Sequence, residues 1–170
     1  MAYPLFHSNH GKFIVLTDDK TSAEKQKAEK HGTVLLDRPM IVNKLYEVIV
    51  ENTVHSRFLY IRAGITIQHP ASLTLPIDAS RWKIEAVLIG DSYVIVHGKR
   101  KESSVGALLS QLKSLHRVGL LVDSSGWLHL YINGFDQGVA ARNVPLPCFA
   151  FFELLGQNTK VLCNLAFFAH

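Results

Sequence analysis

Apolar and polar residues alternate along most of this chain with the two-residue period of strands that rest one face on a core. From Phe58 to Ile67 one set is Leu59, Ile61, Ala63, Ile65 and Ile67, and the other is Phe58, Tyr60, Arg62, Gly64 and Thr66. The first set is expected to point inward. Similar short runs cover Phe13–Leu16, Thr33–Leu36, Leu45–Val50, Trp82–Leu88, Tyr93–Val96, Val118–Val122, Trp127–Ile132, Phe149–Leu154 and Val161–Phe167, most of them rich in β-branched and aromatic residues. Turn chemistry separates them, at Asp18-Asp19, Arg38-Pro39, His69-Pro70, Leu75-Pro76, Gly90-Asp91, Ser125-Gly126, Asn133-Gly134 and Gly156-Gln157. Many short strands at close spacing predict an all-β fold, an antiparallel β-sandwich. Asn133-Gly134 is the sharpest local signal, because both residues tolerate the positive φ of a type I′ turn, and it predicts a hairpin just after Ile132.

Two stretches break the pattern. Thr21–Lys30 is rich in helix-favouring Ala, Glu, Lys and Gln but has no apolar stripe to dock a helix, which predicts a solvated strand or loop. In Ser104–His116, Leu108, Leu109, Leu112 and Leu115 recur at helical spacing, so either a short helix or a loop plugged into the core fits.

At 170 residues with 48% hydrophobic content, the chain is expected to be one domain with a core that needs no staples. A formal charge of +4 is too mild to require nucleic acid, and no apolar run approaches the length of a membrane span. Cys148 and Cys163 lie in apolar runs and are expected to be reduced and buried. With no glycosylation sequon and no signal-like start, the expected compartment is the cytoplasm.

Candidate chemistry is sparse. His7 and His10 would face opposite sides of a strand and have no third ligand, so a structural role fits better than a metal site. Asp123-Ser124-Ser125-Gly126 offers serines but lacks the first glycine of a nucleophile elbow, and it precedes a hairpin strand. Asp18-Asp19 reads as a turn. No catalytic residue, metal or cofactor is therefore expected. Candidate binding residues are Arg62, which could present its guanidinium on an open sheet face or sit in a surface salt bridge, and Trp127, at the sandwich rim or in the core. The basic run Lys99, Arg100 and Lys101 lies on an expected loop, where it could meet an acidic partner or simply be solvated.

Several segments resemble the neuralized homology repeat. They are Phe6-His7-Ser8-Asn9-His10-Gly11-Lys12, Arg38-Pro39, Ile61-Arg62-Ala63-Gly64-Ile65-Thr66, Leu75-Pro76, and Val122-Asp123-Ser124-Ser125-Gly126-Trp127-Leu128-His129-Leu130. Asn133-Gly134, Asp136-Gln137-Gly138-Val139-Ala140, Val144-Pro145-Leu146-Pro147-Cys148-Phe149-Ala150 and Glu153-Leu154-Leu155-Gly156-Gln157 complete the set. The resemblance spans about Phe6 to Phe168 and is closest to a repeat of a multi-repeat family member, which implies a single repeat excised from a longer chain. The repeat is divergent: Phe58 stands where Trp is usual, His69-Pro70 replaces Asp-Pro, and Glu153 and Leu155 replace the Asp and Tyr of the family's Asp-Leu-Tyr-Gly motif. The resemblance implies a jelly roll like those of SPRY and concanavalin-type domains. It also implies non-catalytic protein binding through loops at one end of the sandwich, within a ubiquitin-linked adaptor or scaffold. The partners so implied are proteins, a ubiquitin ligase or its substrate, and neighbouring repeats, at the centrosome within the cytoplasm; neither nucleic acid nor a membrane span is implied. A carbohydrate-binding lectin is the alternative use of such a fold, and it would need a cluster of Asp and Asn ligands.

Overall fold

The computed structural model describes residues 3–27, 30–52, 60–82, 85–156 and 159–164. Its strands are β1 (Ile14–Thr17), β2 (Ser22–Lys25), β3 (Thr33–Leu35), β4 (Leu45–Asn52), β5 (Ile61–Thr66), β6 (Ala86–Ile89), β7 (Tyr93–Val96), β8 (Lys99–Glu102), β9 (Arg117–Val122), β10 (Leu128–Ile132), β11 (Phe135–Ala141), β12 (Phe149–Leu154) and β13 (Thr159–Cys163). They form a seven-stranded sheet, β1-β2-β13-β4-β9-β10-β11, and a six-stranded sheet, β3-β12-β5-β6-β7-β8. Pairing is antiparallel in both sheets. The chain is the antiparallel sandwich that its alternation predicts.

The main core lies between the sheets. Val48, Val50, Val118, Leu120, Val122, Leu128 and Leu130 on one side meet Ile61, Ala63, Ile65, Ala150, Phe152 and Leu154 on the other, all essentially without solvent contact. Each set recurs at every second residue, so the sequence period and the buried faces coincide. Ile67 departs from the inward set and is exposed at the end of its strand. Phe58 and Leu59 fall outside the described residues, as do Lys83 and Ile84 of the Trp82–Leu88 run and the end of the Val161–Phe167 run.

The irregular stretches also take definite places. Part of Thr21–Lys30 becomes β2, and it is less solvated than predicted: Ser22, Ala23 and Lys25 are buried between β1 and β13. Ser104–His116 is a plugged loop with one 3-10 turn, Ala107–Ser110, that inserts Leu109 and Leu112 into the core and leaves Leu108 and Leu115 exposed. Lys99–Glu102, expected as a loop, is a strand at the edge of the six-stranded sheet, and all four of its residues are exposed. Charged side chains at such a position discourage edge-to-edge aggregation. Both cysteines are free, Cys148 buried and Cys163 only partly so. Burial pushes both thiols up to about 12.

β5 is buried on both faces, which simple alternation does not predict. The chain after it crosses back over the outer face of the six-stranded sheet as a strap, residues 67–82, with 3-10 turns at Pro70–Ser72 and Ala79–Arg81. Asn9 holds one end, its Nδ2 donating to the carbonyls of Pro70 at 2.8 Å and Leu73 at 2.7 Å. Between strap and sheet lies a second apolar cluster, in which Leu73, Ala79 and Trp82 of the strap meet Leu88, Tyr93 and Phe151 of the sheet. The Trp82 and Phe151 rings pack 4.7 Å apart. Trp82 is therefore buried as expected, but it ends a 3-10 turn instead of starting a strand. Gly64 makes room for Phe151: a Cβ there would lie 2.7 Å from the ring and 2.0 Å from the Val87 carbonyl oxygen.

Arg62 shares this covered face, and the expectation of an open face or surface salt bridge is corrected: only 8% of the residue is exposed. Its Nε donates to Glu153 Oε1 at 2.6 Å, Nη1 to the Tyr93 hydroxyl at 2.8 Å, and Nη2 to Asp78 Oδ1 at 2.9 Å. Glu153 Oε2 in turn accepts the Ala79 backbone N–H at 2.6 Å. Burial works against the Arg62 charge, but Glu153, Tyr93 and Asp78 outweigh it and hold its proton more tightly than usual. Burial raises the Glu153 carboxyl, with Arg62 opposing. For Asp78, bonds from Ser80 and the nearby Arg62 overcome burial and lower its carboxyl below the usual value. The strap is thus pinned at its far end by a fully partnered ion cluster.

Two outcomes follow. Arg62→Ala should destabilise the fold by about 3–5 kcal/mol in denaturant titration, the usual consequence of leaving a buried carboxylate without its partner; a loss under about 1 kcal/mol, the range of surface pairs, would contradict the pinned strap. In the β10–β11 hairpin, Asn133 and Gly134 have φ of 51° and 82°. A Cβ on Gly134 would meet no atom closer than 3.5 Å, so Gly134→Val tests backbone conformation alone. It should lower stability by roughly 1 kcal/mol or more, and an unchanged melting temperature would show that this turn does not need its left-handed residue.

Candidate protein-binding surface

The two sheets end side by side at β8 and β11, and the space between these edges is an open groove of about 480 Å³. Val94, Val96 and Lys101 line it from the six-stranded sheet, and Val139 to Arg142 line it from the seven-stranded sheet. The register opposes Val94 to Lys101 and Val96 to Lys99. Lys99 and Lys101 therefore share the sheet face that borders the groove, while Arg100 and Glu102 lie on the strap face. There the Arg100 guanidinium sits 3.9 Å from the Tyr93 ring centroid, over the residue that also bonds Arg62.

Arg142 links the groove to the sandwich rim. The hairpin pairs Leu128 with Ala141, so Trp127 and Arg142 meet one step beyond, with the guanidinium 4.6 Å from the indole centroid. Arg142 is exposed and Trp127 half-buried. The turn that carries Trp127 is tightly bonded. Asp123 Oδ1 accepts the N–H groups of Ser125 at 2.8 Å and Trp127 at 3.0 Å, the Gly126 N–H donates to the Asp123 carbonyl at 2.9 Å, and the Val144 N–H donates to the Gly126 carbonyl at 2.8 Å. An aromatic anchor presented on so rigid a turn loses little conformational entropy on binding.

His129 fixes this turn to the hairpin. Its Nε2 lies 2.7 Å from Asp123 Oδ2 and its Nδ1 lies 2.9 Å from Asp136 Oδ2. The bond to His129, followed by that from the Trp127 N–H, lowers the Asp123 carboxyl below its usual value. With both ring nitrogens committed to carboxylates, His129 is not placed to activate Ser124 or Ser125 as a nucleophile, which needs a base nitrogen directed at the hydroxyl. His7 and His10 turn to local backbone: the Asn9 N–H donates to His7 Nδ1 at 2.9 Å, and His10 Nδ1 lies 2.9 Å from the Gly11 carbonyl. No group of three metal-ligating side chains occurs among the described residues.

The structure therefore brings Trp127, Lys99 and Lys101 to one surface and separates Arg62 and Arg100 from it. Sequence reasoning missed Arg142. Regular pairing from the Asn133-Gly134 turn would set Ala140 opposite Trp127, and two register shifts, between Leu128 and His129 and between Leu130 and Tyr131, bring Arg142 there instead.

A family model described as Neuralized matches residues 6–164. Among solved structures, the Drosophila melanogaster neuralized-NHR1 domain superposes with a TM-score of 0.69 at 21% identity, over 94% of this chain and 96% of that one. The NEUZ (NHR) domain in Drosophila melanogaster Neuralized gives 0.67 at 20% identity, over 95% and 92%. The SPRY domain of human HERC1 gives 0.65 at 12% identity, over 95% and 98%.

The depressed Asp123 carboxyl has a pH signature. Its share of stability is complete above the ordinary carboxylate value near 4 and is lost as pH falls through the lower folded value. Asp123→Asn should therefore flatten the fall of melting temperature below about pH 4, whereas acid limbs of equal slope in variant and wild type would contradict the bonding described for this turn.

Proposed function

This chain belongs to the Neuralized family, and we propose that it is a non-catalytic protein-interaction module that holds partner segments at the rim formed by Trp127 and Arg142 and along the groove beside Lys101. The observation that carries this reading is the stacked Trp127–Arg142 pair, half-open to solvent on a turn fixed by Asp123 and His129. Trp and Arg combine large contact area with directional donors and dominate measured hot spots. Loops between packed sheets keep such groups in place while their sequence varies. The same proposal makes the chain one repeat of a longer cytoplasmic, centrosome-associated adaptor similar to neuralized-like protein 4. Its partner would be a ubiquitin ligase or a ligase substrate, and any ligase chemistry would reside elsewhere. The lectin alternative has less support, because among the described residues Asp123 and Asp136 at the rim are both engaged by His129.

A pull-down with this domain, alone and with neighbouring repeats attached, identifies the partner. Trp127→Ala and Arg142→Ala should then each weaken binding by about 2 kcal/mol while leaving the melting temperature nearly unchanged. Full affinity in both variants would place the binding surface elsewhere on the domain.

A further inference from the structure

Strand β8 is the last of its sheet, so among the described residues one side of its backbone has no neighbouring strand. The Ser103 N–H donates to the Ser92 carbonyl, which sets the alternation of the β7–β8 ladder. In an antiparallel pair such bonds recur at every second residue, so Lys99 and Lys101 direct their backbone groups at β7, while those of Arg100 and Glu102 point outward. That outward edge runs beside the groove, whose floor is Val94, Val96, Val139 and Ala140. Lys101 and Arg142 stand on opposite walls, Lys99 follows on the Lys101 face, and no carboxylate lines the groove among the described residues. A free strand edge, an apolar trough of small side chains and cations on both walls together define one kind of occupant.

Resting on the module reading above, we propose that β8 accepts an extended acidic segment of the partner protein as an added strand. The segment's backbone pairs with Arg100 and Glu102. Alternate side chains of the segment face the groove: a small apolar one rests over Val94, Val96 and Val139, and carboxylates at the flanking positions of that same face meet Lys99, Lys101 and Arg142. Main-chain pairing supplies affinity and alternate side chains supply selectivity, as in other strand-addition complexes. The exposed charges that keep β8 from pairing with another copy of itself act here as a selector, because they repel a basic strand and attract an acidic one.

The test uses fluorescence anisotropy with a labelled Gly-Glu-Thr-Val-Thr-Glu-Gly probe, whose two Glu and one Val share one strand face, its Lys-for-Glu counterpart, and an acidic probe N-methylated at alternate amides. The acidic probe should bind wild-type protein. The basic probe and the N-methylated probe should bind at least tenfold more weakly, the first through charge and the second through lost pairing. Lys101→Glu and Arg142→Glu should each weaken the acidic probe about tenfold, and Lys113→Glu, on an exposed loop away from the groove, should leave it unchanged. Equal binding of the N-methylated probe would overturn strand addition, and equal effects of all three charge reversals would overturn the site. Binding of phosphatidylserine vesicles in place of the acidic probe, with the same dependence on Lys101 and Arg142, would also overturn it. If a partner found by pull-down keeps full affinity for Lys101→Glu but loses it for Trp127→Ala, the interaction module stands and the groove proposal alone fails.

Discussion

A buried guanidinium between two carboxylates organises the outer half of this molecule. Arg62 leaves the middle strands of the six-stranded sheet on the face away from the main core, and it can remain charged there only because Glu153, Asp78 and Tyr93 meet its donors. Two of these partners lie on the same sheet, Glu153 on the adjacent strand β12 and Tyr93 on β7 beyond β6, but Asp78 belongs to the strap. Satisfying the arginine therefore requires the strap to close, and the closed strap packs its Trp82 over Phe151 and Leu88. Unpaired charge in an apolar setting costs far more than an exposed one, so the cluster selects a single position for a segment that is otherwise irregular. Asn9 performs the neutral counterpart at the other end. The opening motif and the motif around Glu153, which carry much of the family resemblance, are thus largely the two clips of this strap.

With one sheet face covered, the distinctive open surface is the side where the sheets end. Closing the sandwich between β8 and β11 would require another strand, and the chain instead leaves exposed charge on β8 and small residues on β11. The rim above is stiffened by Asp123 and His129, and Arg142 belongs to both regions, through its stack on Trp127 and its position in the groove. Rigidity in the strap and openness at the edge are complementary: the first holds the six-stranded sheet in shape, and the second leaves that sheet's last strand exposed.

Much of the fold was legible because inter-sheet burial imposes period two, as along β10, and the bounds of β7 and β12 match the sequence expectation residue for residue. The failures share a physical origin. Arg62 looked solvent-facing because alternation reports only which face a side chain takes, whereas burial of that face depends on a loop whose contact with it, Asp78, comes 16 residues later. Lys99–Glu102 looked like a loop because an exposed edge strand has no apolar face to reveal it. β2 was unclear for the reason that Lys25, a residue normally found at the surface, is buried there. Of the candidate surface, Trp127 and the lysines were visible as residue types, but their meeting through Arg142 depends on hairpin register.

Native-state hydrogen exchange at the Ala79 amide tests the central claim most directly, because that N–H donates to Glu153 from within the strap. The strap has little regular hydrogen bonding of its own, so protection at this one amide reports whether the ion cluster joins it to the sheet. The account predicts an opening free energy for Ala79 equal to that of the β5 and β12 amides, as expected if the strap opens only with global unfolding. Exchange of Ala79 at the rate of an exposed loop, while β5 and β12 stay protected, would show that the strap moves independently and that Arg62 does not hold the outer half together.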